Sequence, residues 1–441
     1  MPKFCILWMS RLLPCEMNRK LCLLIVILSG LSISALITKN GDLLLLGLPF
    51  LVWLIFGVAQ APTEISFQAV RHIDKPSVIA GEPVELRISL TNLGNGVKNL
   101  YLDEPIFPGM TIVEGQPIQR RALSPGETTE LRYMVDANRG IYTWQTIRVV
   151  ASDPLGLFEF EQDVPAPGQI MVRPASMQVR PFQLPPRSTL PIAGPISAHK
   201  AGLGTDFWSI REYRAGDSLR RINWHWMARH PQKLFTNEFE REEIADYGLI
   251  LDARRLTRNI EVETAIFERS VSAMAALGRN FLRYGNRVSL MIFGKHFRTA
   301  FPGYGKQQRD ILVRNLAGAK LGGDLPLTSI NHFPIQLFPT RSLLVVISTY
   351  SDRDREAYAR LRSHGYEIIL ISPDPIDFAA RMYPNNETNA LAVRAARVER
   401  VLMLNRLVKL GIKVIVWQVD QPLEPLIREA ARKMSRNRSM L

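Results

Sequence analysis

The chain has almost no cysteine, and none where a folded domain would use it. Of 441 residues only Cys5, Cys15 and Cys22 are cysteine, all ahead of or inside the first long apolar run. Beyond about residue 60 that excludes a disulfide framework and a thiolate metal site. Histidine is also scarce, seven residues without an H-x-x-x-H pair or other ligand spacing, which argues against a zinc enzyme. The strings G-x-S-x-G, G-x-x-x-x-G-K-[ST] and H-E-x-x-H do not occur, so no common nucleophile, phosphate loop or metalloprotease helix announces itself. No catalytic residue is expected, and binding or scaffolding is the leading functional class. The alternatives are a hydrolase built on Asp217, His225 and His230, and a binder of anionic ligands.

What is abundant is positive charge. Lysine and arginine number 55 against 41 acidic residues, for a net charge of +14. Such a surplus suits nucleic acid, anionic lipid or an acidic partner. It also suits the cytoplasmic side of a membrane protein, where Lys and Arg accumulate. The second explanation is preferred, and nucleic acid is not expected, because acidic residues are interspersed among the arginines and because of two apolar runs.

Those runs, about 21–37 and 43–59, carry no charge and stand near the lower length limit for crossing a hydrocarbon core. Between them Thr38-Lys-Asn-Gly-Asp42 reads as a turn. Residues 1–60 are therefore expected to be a membrane anchor with two transmembrane helices. Lys3, Arg11, Arg19 and Lys20 precede the first span, which puts the N-terminus and the soluble remainder on the cytoplasmic side of a cell inner (plasma) membrane. A cleaved signal peptide, with Met17 rather than Met1 as the start, is the other reading of the same stretch.

Residues 61–165 alternate apolar and polar positions in short runs such as Val84-Glu-Leu-Arg-Ile-Ser-Leu90 and Thr129-Glu-Leu-Arg-Tyr-Met-Val135. Turn-forming stretches separate them, and the pattern predicts an antiparallel β-sandwich. Asp153-Pro-Leu-Gly-Leu-Phe158 reads as a turn in which Leu157 and Phe158 plug an apolar face. Residues 166–200 are proline-rich and aperiodic, an expected linker.

Residues 201–245 interleave Arg211, Arg214, Arg220, Arg221 and Arg229 with Trp208, Tyr213, Trp224 and Trp226, and with Glu212 and Asp217. Guanidinium forks beside aromatic faces suit recognition of carboxylate or phosphate, or an internal network of ion pairs and stacked rings. The sequence leaves both open. Residues 246–441 then alternate apolar strand runs (Tyr247 to Asp252, Val288 to Phe293, Ser342 to Ser348, Tyr366 to Ser372, Ile412 to Val419) with helical segments. Phe297 to Phe301 is placed as an antiparallel edge. The fold class is thus α/β plus all-β, ending in a doubly wound, mostly parallel sheet with ligands expected at the strand C-terminal ends. Arg394, Arg397 and Arg400 read as a solvated helix face.

The string G-D-x-x-R-x-I-N-W-x-x-x-A-R from Gly216 to Arg229, with the upstream Arg-Glu-Tyr of residues 211 to 213, resembles the signature of the domain of unknown function 58 family. Arg139-Gly-Ile-Tyr142, the Asp153 to Phe158 string and the two N-terminal spans resemble that family's preceding region. The resemblance implies a von Willebrand A-like domain after the motif and a partnership with MoxR-type AAA+ ATPases in assembly or maturation of other proteins. It marks Arg211, Glu212, Tyr213, Gly216, Asp217, Arg220, Asn223, Trp224 and Arg229 as partner-binding or structural positions. Von Willebrand A domains hold a divalent cation through an Asp-x-Ser-x-Ser loop, a Thr and a later Asp. Here Asp252 keeps the first position while Arg254 and Leu256 replace the serines, Thr349 stands at the later aspartate's place with Asp352 nearby, and Asp324 lies in the second loop. No cofactor is expected. If magnesium bound at all, Asp252 and Asp324 would be its ligands. The oligomeric state is not fixed by the sequence.

Overall fold

A computed structural model describes residues 16–17, 19–61, 65–175, 177–182, 184, 196–256, 259–323, 337–340, 342–381 and 386–438. Lys3, Arg11 and Asp324 lie outside the described residues, as do the side chain of Trp208 and residues 185–195 of the stretch read as a linker. The chain divides into two compact units, Met1–Val172 and Arg173–Leu441.

The first unit starts with β1 (Glu16–Met17) and continues into α1 (Arg19–Thr38) and α2 (Asp42–Ala59). Both helices are long and apolar enough to cross a membrane. Only 17% and 6% of their most apolar stretches is buried within the protein, so their leucines, isoleucines and valines mostly face outward, unlike those of a soluble core helix. The base of the hairpin is held by a small apolar cluster of Leu21, Leu24, Leu157 and Phe158. The loop that supplies the last two is folded by Asp153. Its carboxylate accepts from the amides of Leu155, Leu157 and Phe158 at 2.7–2.9 Å. The Asp-Pro string is thus an internal loop lock that aims a plug at the helices.

The strands that follow are β2 (Phe67–Ile73), β3 (Ser77–Ile79), β4 (Val84–Asn92), β5 (Val97–Asp103), β6 (Met110–Gly115), β7 (Ile118–Leu123), β8 (Thr128–Ala137), β9 (Gly140–Ser152) and β10 (Phe158–Arg173). One sheet runs β2-β4-β8-β6. The other runs β1-β10-β9-β5-β7, with β3 also on β10. In β4 the odd-even alternation is complete: Val84, Leu86, Ile88, Leu90 and Asn92 are buried and the residues between them are not. That period of two sends one side of each strand inward, and inward residues of both sheets share one core around Trp144, Tyr133 and Ile88. Buried within this core, Arg71 pairs with Glu104 at 2.7 Å and lies 5.3 Å from the centre of the Trp144 ring. Strand β10 extends to Arg173, so the first residues assigned to a linker are strand instead. The hydrophobic alternation of Ile170 and Val172 carries it past the prolines.

The second unit is built on β11 (Ile196–Glu212), a 3-10 turn at Leu219–Arg221, α3 (Trp224–Arg229) and β12 (Phe235–Glu243), then β13 (Asp246–Asp252), α4 (Ile260–Arg283), β14 (Arg287–Phe293), β15 (Arg298–Gly303), α5 (Gly305–Ala317), β16 (Leu343–Ile347), α6 (Arg355–Ser363), β17 (Glu367–Pro373), α7 (Pro375–Ala380), α8 (Glu387–Lys409), β18 (Lys413–Trp417) and α9 (Leu423–Arg438). The main sheet has the order β15-β14-β13-β16-β17-β18, parallel throughout except for β15, the expected antiparallel edge. Strands β13, β14, β16 and β17 are buried on both faces. Leu249, Leu251, Val345 and Ile347 point to a core closed by α4, α5 and α9. Ile250, Leu344, Val346 and Leu370 point to a second core closed by α6 and α8. A sheet covered on both sides explains why these strands read as unbroken apolar runs.

The tail of the stretch read as a linker is also part of this unit. Phe182 and Leu184 are buried in the first core, and Asn280 of α4 binds the Phe182 backbone at both its donor and its acceptor. Isolated apolar residues among prolines carry no periodicity, so the sequence hides which of them find a groove.

Candidate functional site

Two places bring the candidate residues together, an arm and a strand-end crevice. The arm consists of β11 and β12, paired antiparallel from Ile196–Glu243 to Glu212–Phe235, and the excursion between them. Its root is closed where the Tyr213 amide donates to the Leu234 carbonyl. Just inside, the Arg211 guanidinium holds Asp217 with two bonds of 2.7 and 2.8 Å and Glu238 on β12 with a third of 2.7 Å. Asp217 also accepts from the Arg214 amide, and Tyr213 donates its hydroxyl to the Asp217 carbonyl at 3.2 Å. The turn from Arg214 to Asp217 needs a residue with positive φ at its third position, and Gly216 supplies it at φ 106°. Glu212 pairs with Lys233 across the root. Asn223 caps α3 by accepting from the Trp226 amide at 2.8 Å and ties it to β12 through Asn237, a side-chain cap of the usual kind.

These contacts sort the signature. Arg211, Glu212, Tyr213, Gly216, Asp217 and Asn223 build the arm. Arg220, Trp224 and Arg229 face outward, Trp224 with 63% of its surface exposed, beside Leu219 with 68%. Arg220 and Arg229 make no ion pair among the described residues. Trp226 is partly covered, stacked on His230 at 5.5 Å and edge-on to Phe235. Hydrogen bonds from Arg211, then from the Arg214 amide, hold the Asp217 carboxyl down at about 2. The bond from Ser209 and then Arg211 lower Glu238 as well. Asp217 is therefore committed to its guanidinium, and no hydrogen bond joins it to His225 or His230 among the described residues.

The crevice lies where the strand order reverses. From β13 the chain goes first to β14 on one side and later to β16 on the other, and ligands of open parallel sheets bind beyond the strand ends at such a point. Here a side chain fills it. Arg254, two residues past the end of β13, bonds both oxygens of Asp252 at 2.9 and 2.7 Å and both oxygens of Asp354 at 3.0 and 2.6 Å. The side chains of all three are at most 3% exposed. Ser348, beyond β16, donates to Asp252 at 2.6 Å, and the Phe293 ring lies 4.8 Å under the guanidinium. Burial opposes the charge on Arg254, but Asp252 and Asp354 outweigh it and raise its pKa above the usual arginine range. Burial, then the charges of Asp354 and Asp252, pushes neighbouring Tyr358 well up.

Magnesium needs converging oxygen ligands. Asp252 instead gives its oxygens to Arg254 and Ser348, so the donors here suit a guanidinium and not a bare cation. The later acidic partner is Asp354, in place of the expected Thr349 or Asp352. The chain turns back after Ser348 through Tyr350 in the left-handed region at φ 63°, which carries Asp354 under the strand ends. Among the described residues no three acidic, histidine or cysteine side chains form a metal-binding group. Arg400 does not lie on the solvated helix face expected for it. It is buried, and its guanidinium donates to the Thr349 and Pro373 carbonyls and the Ser372 hydroxyl at 2.6–3.1 Å, closing the ends of β16 and β17.

No curated protein matches this chain. Among solved structures, the CARDB domain of the PF1109 protein from Pyrococcus furiosus is 16% identical over 24% of this chain and 93% of its own, with a TM-score of 0.18. A FixG-related protein from Vibrio parahaemolyticus is 19% identical over 24% of this chain and 95% of its own, also at 0.18. The Vibrio cholerae VesB protease is 15% identical over 28% of this chain and 35% of its own, at 0.16. Scores this low carry no argument about this chain. Residues 209–379, which hold the arm's excursion and the crevice, match the family model described as protein of unknown function DUF58, and that match supports the DUF58 family for this protein.

Proposed function

We propose that this protein is a membrane-anchored scaffold whose arm docks a partner protein, a MoxR-type AAA+ ATPase, in the assembly or maturation of other proteins. In this reading α1 and α2 form a transmembrane hairpin in the inner membrane. Arg19 and Lys20 at the start of α1, against one Lys and one Asp around the short turn, favour a cytoplasmic N-terminus, and two spans return the chain to that side. The second unit is read as von Willebrand A-like, supported by the strand order around β13 and by the placing of Asp252 at the strand end.

The observation that carries the docking proposal is the division of labour within the signature. Arg211, Asp217 and Glu238 spend their charges on one another, while Leu219, Arg220, Trp224 and Arg229 are presented to solvent on the frame so made. Tryptophan and arginine dominate the binding energy of protein interfaces, at 2 kcal/mol or more for a central residue. A rigid frame lowers the ordering cost of presenting them. The closed crevice favours a binding role over chemistry at the strand ends.

The test is affinity purification of the full chain from detergent-solubilised membranes with quantitative mass spectrometry, comparing native protein with Arg220→Ala plus Trp224→Ala. Recovery of an AAA+ ATPase should fall more than tenfold in the variant, at about 1.4 kcal/mol per factor of ten. Equal recovery by both would remove the arm as docking surface, and no ATPase with either would overturn the partner assignment.

A further inference from the structure

Helix α8 carries two apolar faces, and the sheet uses only one. Arg400, Leu404 and Leu407 are buried against the sheet. On the opposite side Leu391, Val398, Val401, Leu402 and Val408 are 52–69% exposed, and among the described residues nothing covers them. A contiguous apolar patch left exposed on a helix marks a site of interaction with another surface.

We infer that this outer face is an interface with a second copy of the chain, formed by antiparallel pairing of α8 with its symmetry mate. The positions Leu391, Arg394, Val398, Val401, Asn405 and Val408 follow the alternating three- and four-residue spacing of a helix-pairing seam. They are also symmetric about the bond between Glu399 and Arg400: Leu391 mirrors Val408, Arg394 mirrors Asn405, and Val398 mirrors Val401. A two-fold interface demands such self-complementarity, since each residue meets the mate of its mirror position. Antiparallel pairing sets apolar against apolar at four levels and lets the Arg394 guanidinium donate to the Asn405 amide oxygen of the other copy. Parallel pairing would set Arg394 against Arg394. A lipid surface fits less well, because basic residues of an interfacial helix flank the apolar stripe, whereas Arg394 and Asn405 lie in its centre line.

The neighbouring sheet edge points the same way. Strand β18 has a partner on one side only, and Val416 is 46% exposed. It alternates with Ile415 and Trp417 of the other core, and so shares the α8 face. A stable interface buries roughly 1,000 Å² or more, and the strand edge extends a patch that one helix pair alone would leave small.

The experiment uses the full chain in native membranes, with Cys5, Cys15 and Cys22 replaced by serine. Leu391→Cys with Val408→Cys places two thiols about 26 Å apart on one helix at 1.5 Å per residue, too far to close within a chain. Mild oxidation should convert this double variant to a covalent dimer, while Leu391→Cys alone stays monomeric. In detergent, light scattering should give twice the chain mass for native protein and the single mass for Val398→Glu plus Val401→Glu, with unchanged thermal stability because both sites are exposed. Arg220→Ala plus Trp224→Ala should leave the dimer intact, which separates this inference from the docking proposal. Cross-linking by Leu391→Cys alone would show parallel pairing and overturn it. So would a monomer in every variant, including one whose α8 thiols become protected only on adding anionic lipid vesicles.

Discussion

Removing Arg254 tests whether the crevice is a structural lock. In Arg254→Met the methylene bulk stays over Phe293, but Asp252 and Asp354 face each other almost fully buried, without the guanidinium that holds all four of their oxygens. Breaking a buried pair from one side costs about 3–5 kcal/mol, because the remaining charge is uncompensated. Two carboxylates are stranded here, so the upper half of that range is expected. Because the chain has two compact units, a single melting temperature would mix them, and amide exchange of the β13 and β16 peptides is the sharper assay. At about 1.4 kcal/mol per factor of ten, their protection should fall by roughly three to three and a half orders of magnitude. Replacing all three charges together, Arg254→Met with Asp252→Asn and Asp354→Asn, should restore most of it, since an apolar or neutral replacement of a whole buried network is often nearly neutral. Millimolar magnesium should leave native exchange unchanged but recover protection in Arg254→Ser, where the carboxylates regain free oxygens. A loss under tenfold in Arg254→Met, or a magnesium-dependent gain in the native protein, would refute the reasoning.

Three further outcomes follow from the same structure. Asp217 is held at about 2, below its ordinary 3.8, so its contribution to the arm is present above the unfolded value and is lost as pH falls through about 2; protection of the Arg214 amide should hold from pH 7 to 4 and collapse below 3, and Asp217→Asn should lack the transition. Burial pushes Glu104 up to about 7 despite Arg71 beside it. The sandwich should then be most stable below about pH 4.5 and lose stability as pH rises through 7, a slope that Glu104→Gln removes; a flat profile in calorimetry of the native protein would count against it. A Cβ on Gly248, in the middle of β13, would lie 2.5 Å from both Leu344 and Phe338, so Gly248→Ala should cost about 1–3 kcal/mol by overpacking, read as faster exchange of β13.

Much of the framework is legible in local pattern. The spans expected at 21–37 and 43–59 fall inside helices Arg19–Thr38 and Asp42–Ala59, because charge-free apolar runs bounded by a turn leave little choice. The antiparallel edge after β14 is likewise visible in its alternation. What stays hidden is contact at long range. Asp354 meets Arg254 from a hundred residues away, guided by a single left-handed Tyr350 that no composition rule flags. Arg394, Arg397 and Arg400 are the same residue type three positions apart, yet only Arg400 is turned to the sheet and finds open carbonyls at the ends of β16 and β17. In the signature, the sequence could mark nine residues but could not say which of them look inward, since that depends on where Glu238 arrives on the returning strand. Asp324 lies outside the described residues.

The root of the arm has a consequence for how such a chain can change over generations. Everything between Tyr213 and Leu234 leaves and re-enters the structure beside one amide-to-carbonyl bond and the Arg211 fork, and is tied back to β12 by Asn223 on Asn237 and by Thr236 on the Arg221 carbonyl. The sheet tolerates no insertion, since one extra residue in β13 or β16 would swap its two cores. The arm positions that the Gly216 to Arg229 string leaves open, such as Leu219 and His225, can be rewritten while that root persists. Variation in this lineage should therefore gather at those open positions, giving each descendant its own choice of company on an unchanged chassis.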